Sequence, residues 1–158
     1  MNVKTLAIAA TVALAGLATA AQAQDIVRTV VAPQAPFAAI VAVPPGYTTY
    51  FVSGALPTPV TPAANGQPAV YGDTTAQTQS VLATLKATMA KNGLGLGDVV
   101  KATLYMGPDL DFAAMNKVWV TAFGTPDQPN KPARAAFHVQ ALAVPGAQLE
   151  IEFVAAKK

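Results

Sequence analysis

The sequence predicts a single α+β domain in which two helices pack on one face of a mixed sheet. Strand-length apolar or alternating segments and two amphipathic helical stripes follow one another in the order β-β-α-β-α-β-β. The 158 residues are enough for one domain with a sizeable core. No internal repeat or second domain is evident.

The first 23 residues have the pattern of a secretory signal peptide. Lys4 is followed by an apolar run, and Ala21-Gln22-Ala23 provides small residues at the positions read by signal peptidase. We expect cleavage after Ala23 and a mature protein in the periplasm or outside the cell, without a membrane anchor. Residues 24–36 are expected to be irregular, and residues 37–158 to form the domain.

Two strands are predicted at the start of the domain. Residues 37–43 form a continuous apolar run that Pro44-Pro45-Gly46 ends, and residues 47–53 are rich in Thr, Tyr, Phe and Val. Because a turn-forming segment joins the two runs, we predict a hairpin here.

The two helices are predicted from caps and apolar spacing. Asp73, Thr74 or Thr75 can begin the first helix, whose stripe contains Leu82, Leu85 and Met89. After a predicted strand over residues 99–106, Asp109 or Asp111 can begin the second helix. Its stripe is typical of a core-facing surface and consists of Phe112, Met115, Trp119 and Phe123.

The last third of the chain predicts a second hairpin. Two alternating segments, residues 131–142 and 148–155, are separated by Pro145-Gly146. Arg134 lies at the start of the first segment, and its planar guanidinium suits a carboxylate. Glu150 and Glu152 share one face of the second. An edge hairpin with solvated charges is an equally good interpretation of this stretch by itself.

Composition excludes several classes of site. Only 11% of the residues are charged, the net charge is +2, and the lysines are spread singly along the chain. A nucleic-acid partner is therefore disfavoured, since such binders cluster their basic residues. The chain has no cysteine and a single histidine, His138, so a Cys- or His-rich metal site is impossible, and no metal or cofactor is expected.

Short motifs in a fixed order give the chain a family resemblance. It resembles the RidA/YjgF family of small imine and enamine deaminases from about residue 35 to the C-terminus. The motifs that carry the resemblance are Ser53-Gly54, Gly72-Asp73, Gly97-Asp98, Asp111-Phe112 with Asn116, Pro132-Ala133-Arg134, and Glu150 with Glu152.

The resemblance implies a chorismate-mutase-like α+β fold and a homotrimer with sites in the clefts between subunits. The implied activity is hydrolysis of reactive small 2-imino acids and their enamine tautomers to 2-keto acids and ammonia. The partners of the protein would then be the other copies of the chain in the homotrimer and small 2-imino or 2-keto acids.

The same resemblance assigns roles to individual residues. Arg134 would bind the substrate carboxylate, and Glu150 would position the attacking water and handle a proton. Ser53, Gly54 and Asn116 match positions that shape the cleft. Ala136 stands where the family often has cysteine, at a position used mainly through its backbone.

One part of the family pattern is missing. The family usually carries a Gly-Pro-Tyr segment whose tyrosine lines the site, whereas no tyrosine aligns around Phe37 here. This gap leaves open the binding of a small carboxylate without turnover, and the alanine-rich, low-charge composition leaves open a holdase-like role through exposed apolar surface.

Overall fold

The computed structural model describes residues 24–158, which form a six-stranded mixed sheet with two helices. The predicted signal peptide, residues 1–23, lies outside the described residues. The elements in chain order are β1 (Val27–Val30), β2 (Ala38–Ala42), β3 (Thr48–Ala55), α1 (Thr74–Ala90), β4 (Val99–Met106), α2 (Phe112–Ala122), β5 (Ala133–His138) and β6 (Leu149–Lys157). The predicted α+β class is confirmed.

A strand occurs in the N-terminal segment that was expected to be irregular. β1 contains a β-branched patch, and it pairs antiparallel with β2. The side chain of Arg28 fastens this strand to the domain, because its Nη2 donates to the carbonyl oxygens of Gly97 and Val99 at 3.0 and 3.3 Å. The expectation of an irregular segment over residues 24–36 was therefore wrong.

The predicted C-terminal hairpin was also wrong. The strand order is β1-β2-β5-β4-β6-β3, so β4 lies between β5 and β6. α2 connects β4 to β5 as a crossover, and such a connection makes the two strands parallel neighbours. β5 ends at His138, and the ten residues that follow are too many for a two-residue hairpin turn.

The first predicted hairpin fails in the same way. β2 pairs with β1 and β5, whereas β3 pairs antiparallel with β6 at the far edge of the sheet. Pro44-Pro45-Gly46 thus ends β2 without returning the chain to it. A turn signal in the sequence specified the end of a strand but not its partner.

Both helices pack on one face of the sheet, as predicted. Asp73 caps α1 by accepting from the Ala76 N–H at 2.8 Å, and Asp111 caps α2 through the N–H groups of Ala113 and Ala114. The core between helices and sheet contains Leu82, Leu85, Met89, Met115, Trp119 and Phe123 from the predicted stripes. Phe112 does not belong to it, since 45% of this residue is exposed at the start of α2.

In the described part of the chain, the other face of the sheet carries no helix. Along β6, Leu149, Ile151 and Phe153 are buried in the core, and the alternate residues Glu150 and Glu152 project from the opposite face. We call the face of the sheet from which Glu150 and Glu152 project the open face. Within residues 24–158, no helix combines the length and apolarity needed to cross a membrane.

Candidate active site

Arg134 lies on the helix-covered face of the sheet, next to α2. It is in register with Ala102, which is fully buried in the core. Its Nη1 donates to Oδ1 of Asn116 at 2.8 Å. Its guanidinium carbon lies 5.2 Å from the ring centroid of Phe37 and 5.0 Å from that of Trp119, within the range of a cation–π contact. We call Arg134, Asn116, Phe37 and Trp119 the Arg134 cluster.

The surroundings of Arg134 leave its charge only partly compensated. Burial lowers the pKa of Arg134 to about 10. Within residues 24–158, no carboxylate forms a salt bridge with it. Asn116 accepts one of the five hydrogen bonds that a guanidinium can donate. A cation that is drawn out of water without a counter-ion is well suited to bind an anion.

Glu150 lies on the open face, away from Arg134. It is opposite Tyr105 in the pairing of β6 with β4, and Glu152 is opposite Thr103. Burial raises the pKa of Tyr105, and the carboxylates of Glu152 and Glu150 raise it further. Tyr105, Glu150 and Glu152 line a cavity of about 240 Å³ together with the apolar side chains of the segment after β5.

Gly54 brings the backbone of β3 against the Glu150 carboxylate. The pairing of β3 with β6 shifts between Val52 and Ala55, so Ser53 and Gly54 form a bulge in the edge strand. A Cβ at Gly54 would lie 2.2 Å from Oε1 of Glu150. We call Ser53, Gly54, Tyr105, Glu150 and Glu152 the Glu150 cluster.

The bulge also borders a larger cavity. Residues 50–56 of the β3 edge and one side of α1 enclose about 500 Å³. Ser53 and Gly54 therefore separate this cavity from the Glu150 carboxylate, which places both residues at the rim of a cleft. The cleft-shaping role that the resemblance implies for them stays a prediction.

Gly54→Ala is expected to disturb Glu150 while sparing the fold. The new methyl group collides with a flexible carboxylate, which can move, so we expect a loss of stability of about 1 kcal/mol. We expect turnover of an imine substrate to fall about tenfold, because the carboxylate is displaced. Gly95→Ala is the matched control, since its Cβ would meet nothing within 4 Å. Equal turnover numbers for the two variants would contradict this role.

The remaining predicted residues lie on the same side of the sheet as Arg134. Asn116 joins Arg134 directly, and Ala136 lies two residues further along β5 on the same side, packed against the core. The Nδ1 atom of His138 lies 2.9 Å from the carbonyl oxygen of Gly107. No group of three or more metal-ligating side chains occurs in the described part of the chain.

Sequence reasoning missed two members of the Arg134 cluster. Trp119 was predicted only as core, although it is three residues after Asn116 and therefore close to it on α2. Phe37 was predicted only as part of an apolar strand. It supplies an aromatic ring beside Arg134, although no phenolic hydroxyl.

Comparison with known proteins decides the family. A model of the family described as Endoribonuclease L-PSP matches residues 28–157. The chain belongs to the RidA/YjgF family. It is 40% identical over 89 residues to a RutC family protein of Pyrococcus horikoshii, covering 56% of this chain and 67% of the relative. It is 34% identical over 100 residues to a protein named 2-iminobutanoate/2-iminopropanoate deaminase from Escherichia coli, covering 63% and 74%.

Solved structures agree with this assignment. A Rid family protein from Yersinia pestis, described as of unknown function, superposes with a TM-score of 0.60 at 31% identity, covering 77% of this chain and 87% of the other. RidA from an Antarctic Psychrobacter gives a TM-score of 0.54 at 32% identity, covering 69% and 80%. The α+β fold is therefore that of the RidA/YjgF family.

Proposed function

We propose that the protein hydrolyses small 2-imino acids and their enamine tautomers to 2-keto acids and ammonia. The observation that carries the proposal is the guanidinium of Arg134, which is partly buried, oriented by Asn116, and has no described carboxylate as partner. Such a group recognises the carboxylate common to all these substrates. The names of curated relatives at about one-third identity support the reaction.

The chemistry requires little beyond positioning. Arg134 binds the substrate carboxylate through two parallel hydrogen bonds, which fixes the neighbouring iminium carbon. Water held by Glu150 attacks that carbon, and Glu150 accepts a proton from it. Glu150 returns that proton to the amine nitrogen of the adduct, the carbon–nitrogen bond breaks as ammonia leaves, and the hydroxyl group loses its proton and becomes the keto group.

A site with both residues has to be formed by two copies of the chain. Arg134 and Glu150 belong to strands separated by β4, and their side chains lie on opposite faces of one sheet. The open face exposes large apolar side chains, among them Phe51, 84% exposed, at the β3 edge. We place the Arg134 cluster of one protomer against the Glu150 cluster of its neighbour in a homotrimer, and sedimentation equilibrium measures that stoichiometry.

The reaction is tested with imines generated in the assay by an L-amino-acid oxidase. The purified protein is expected to accelerate release of 2-keto acid and ammonia. The alternative is binding of a small carboxylate without turnover, for which calorimetry would detect 2-keto acid while the imine decays at its spontaneous rate. A holdase would instead suppress aggregation of a client protein equally well after Arg134→Ala.

The description of the family model as an endoribonuclease suggests a further control. With a single histidine, the chain has no pair of histidines for acid and base catalysis on RNA, and its charge is nearly balanced. We therefore expect no cleavage of a single-stranded RNA under conditions in which imine hydrolysis is saturated.

Binding of a 2-keto acid is expected to weaken at high pH. The ligand needs the protonated guanidinium, and the lowered pKa of Arg134, about 10, means that this proton is lost as the pH rises through that value. Calorimetry with 2-ketobutyrate should give a constant Kd from pH 7 to 9 and roughly tenfold weaker binding for each pH unit above 10. Circular dichroism checks that the protein stays folded. Undiminished binding at pH 11 would contradict this.

We propose that the mature protein is exported, to the periplasm or outside the cell. Ala21-Gln22-Ala23 precedes the first described residues, and β1 begins three residues after Gln24. N-terminal sequencing of protein recovered from the periplasmic fraction should begin at Gln24. Recovery of the full-length chain from the cytoplasm alone would contradict export.

A further inference from the structure

The cavity beside Glu150 on the open face has a volume of about 240 Å³ and a lining that is partly polar. Its polar side chains are the carboxylates of Glu150 and Glu152 and the phenol of Tyr105. The rest of the lining consists of apolar side chains of the segment after β5: Val139, Ala141, Leu142 and Ala143. Among the described residues that line this cavity, a water molecule held by Glu150 can therefore find a second side-chain partner only in Tyr105 or Glu152.

Tyr105 is better placed than Glu152 to share that water with Glu150. Tyr105 lies opposite Glu150 in the pairing of β4 with β6, and the Cβ atoms of opposite residues are about 4.5–5.5 Å apart. Glu152 follows two residues later in β6, at about 7 Å along the strand. On the other side of β6, the backbone of Gly54 closes the approach to the Glu150 carboxylate. The carboxylate is therefore open to water on the side of Tyr105.

Phe137 and Glu152 hold the phenol of Tyr105 in place. The rings of Tyr105 and Phe137 meet edge to face, with 5.2 Å between their centroids. Burial raises the pKa of Tyr105, and the charge of Glu152 and hydrogen bonding to it raise the pKa further, so the hydroxyl group stays protonated at neutral pH. A hydroxyl group that donates to Glu152 keeps lone pairs with which its oxygen accepts a hydrogen bond from water. Glu152→Gln retains an amide oxygen that accepts the same bond.

We propose that Tyr105 and Glu150 together hold the water that attacks the substrate. This deepens the proposed imine hydrolysis and rests on it. The water donates one hydrogen bond to the Glu150 carboxylate and the other to the Oη atom of Tyr105, so a lone pair of its oxygen faces the iminium carbon of a substrate bound by Arg134 of the neighbouring protomer. As the carbon–oxygen bond forms, Glu150 takes the proton that it holds, and the π electrons of the carbon–nitrogen double bond move to the nitrogen.

Tyr105→Phe removes the hydroxyl group and keeps the edge-to-face contact with Phe137. We expect kcat for imine hydrolysis to fall about tenfold, because the water loses one of the two groups that orient it. KM and the Kd of 2-ketobutyrate should change less than about threefold, since Arg134 binds the carboxylate. Tyr47→Phe is the matched control, because it removes a hydroxyl group that lies 3.4 Å from Asp25, and its kcat should not change. Thermal melts check that both variants are folded.

A crystal structure tests the same water without turnover. We expect an ordered water within about 3 Å of both Oη of Tyr105 and a carboxylate oxygen of Glu150 in the unaltered protein, and its absence from Tyr105→Phe. An unchanged kcat in Tyr105→Phe, or no such water in the unaltered protein, overturns the role of Tyr105 even if imines are hydrolysed. A water that is present in a protein without turnover supports Tyr105 and removes the deaminase. If Tyr105→Phe does not fold, the water in the unaltered protein decides.

Discussion

Arg134→Met is expected to abolish most of the activity without harming the fold. Two charge-assisted hydrogen bonds to the substrate carboxylate disappear, and we expect kcat/KM to fall by about two to three orders of magnitude. Methionine keeps an apolar side chain against Phe37 and Trp119. Because the variant also removes a partly buried cation without a described counter-ion, the melting temperature should stay the same or rise.

Arg28→Met is the matched control for that prediction. Arg28 is the other arginine whose pKa is lowered by burial, but its guanidinium donates to backbone carbonyl oxygens of Gly97 and Val99. Its loss leaves those oxygens with fewer partners, so we expect a fall of about 1–3 kcal/mol in the free energy of unfolding. kcat/KM should not change. If the two variants had the opposite effects, the binding role of Arg134 would be refuted.

Glu150→Gln is expected to reduce turnover while preserving binding. The amide keeps the shape of the side chain beside Gly54 but removes the group that accepts the proton of the attacking water. General-base catalysis contributes about 10²–10⁴-fold, so we expect kcat to fall by at least about a hundredfold. The Kd of 2-ketobutyrate should change less than about threefold, because Arg134 holds its carboxylate.

Glu152→Gln makes the same chemical change two residues away on the same face of β6. Glu152 lies opposite Thr103 and contributes to the raised pKa of Tyr105, but it does not approach Gly54. We expect its kcat to stay within about threefold of that of the unaltered protein. An equal loss in both variants would show that negative charge on the open face, and not the position of Glu150, determines the rate.

Local signals in the sequence predicted every strand and helix except β1, but they did not predict which strands are neighbours in the sheet. Asp73 and Asp111 cap the two helices as expected, and the alternation along β6 correctly separated core residues from open-face residues. The two predicted hairpins failed because strand pairing depends on contacts distant in sequence. Pro145-Gly146 and Pro44-Pro45-Gly46 specify turns, whereas the crossover through α2 determines that β5 lies beside β4.

The same limit applies to the candidate site. Arg134, Glu150, Gly54 and Asn116 were all named from their motifs, and the structure joins Arg134 to Asn116 and Gly54 to Glu150. The registers of β5 and β6 with β4 put Arg134 and Glu150 on opposite faces of the sheet, and the sequence motifs do not contain this information. Phe37 was missed because its contact with Arg134 joins segments almost a hundred residues apart in the sequence.

The central claim is that each site combines Arg134 from one protomer with Glu150 from its neighbour. Co-expression of differently tagged Arg134→Met and Glu150→Gln chains tests it, because each chain retains the residue that the other lacks. Random equal mixing gives roughly three-quarters mixed trimers with one intact site of three in each, so we expect about a quarter of the unaltered activity. Tandem-tag purification verifies that mixed trimers form. Mixed trimers that are no more active than either parent would contradict a site shared between copies.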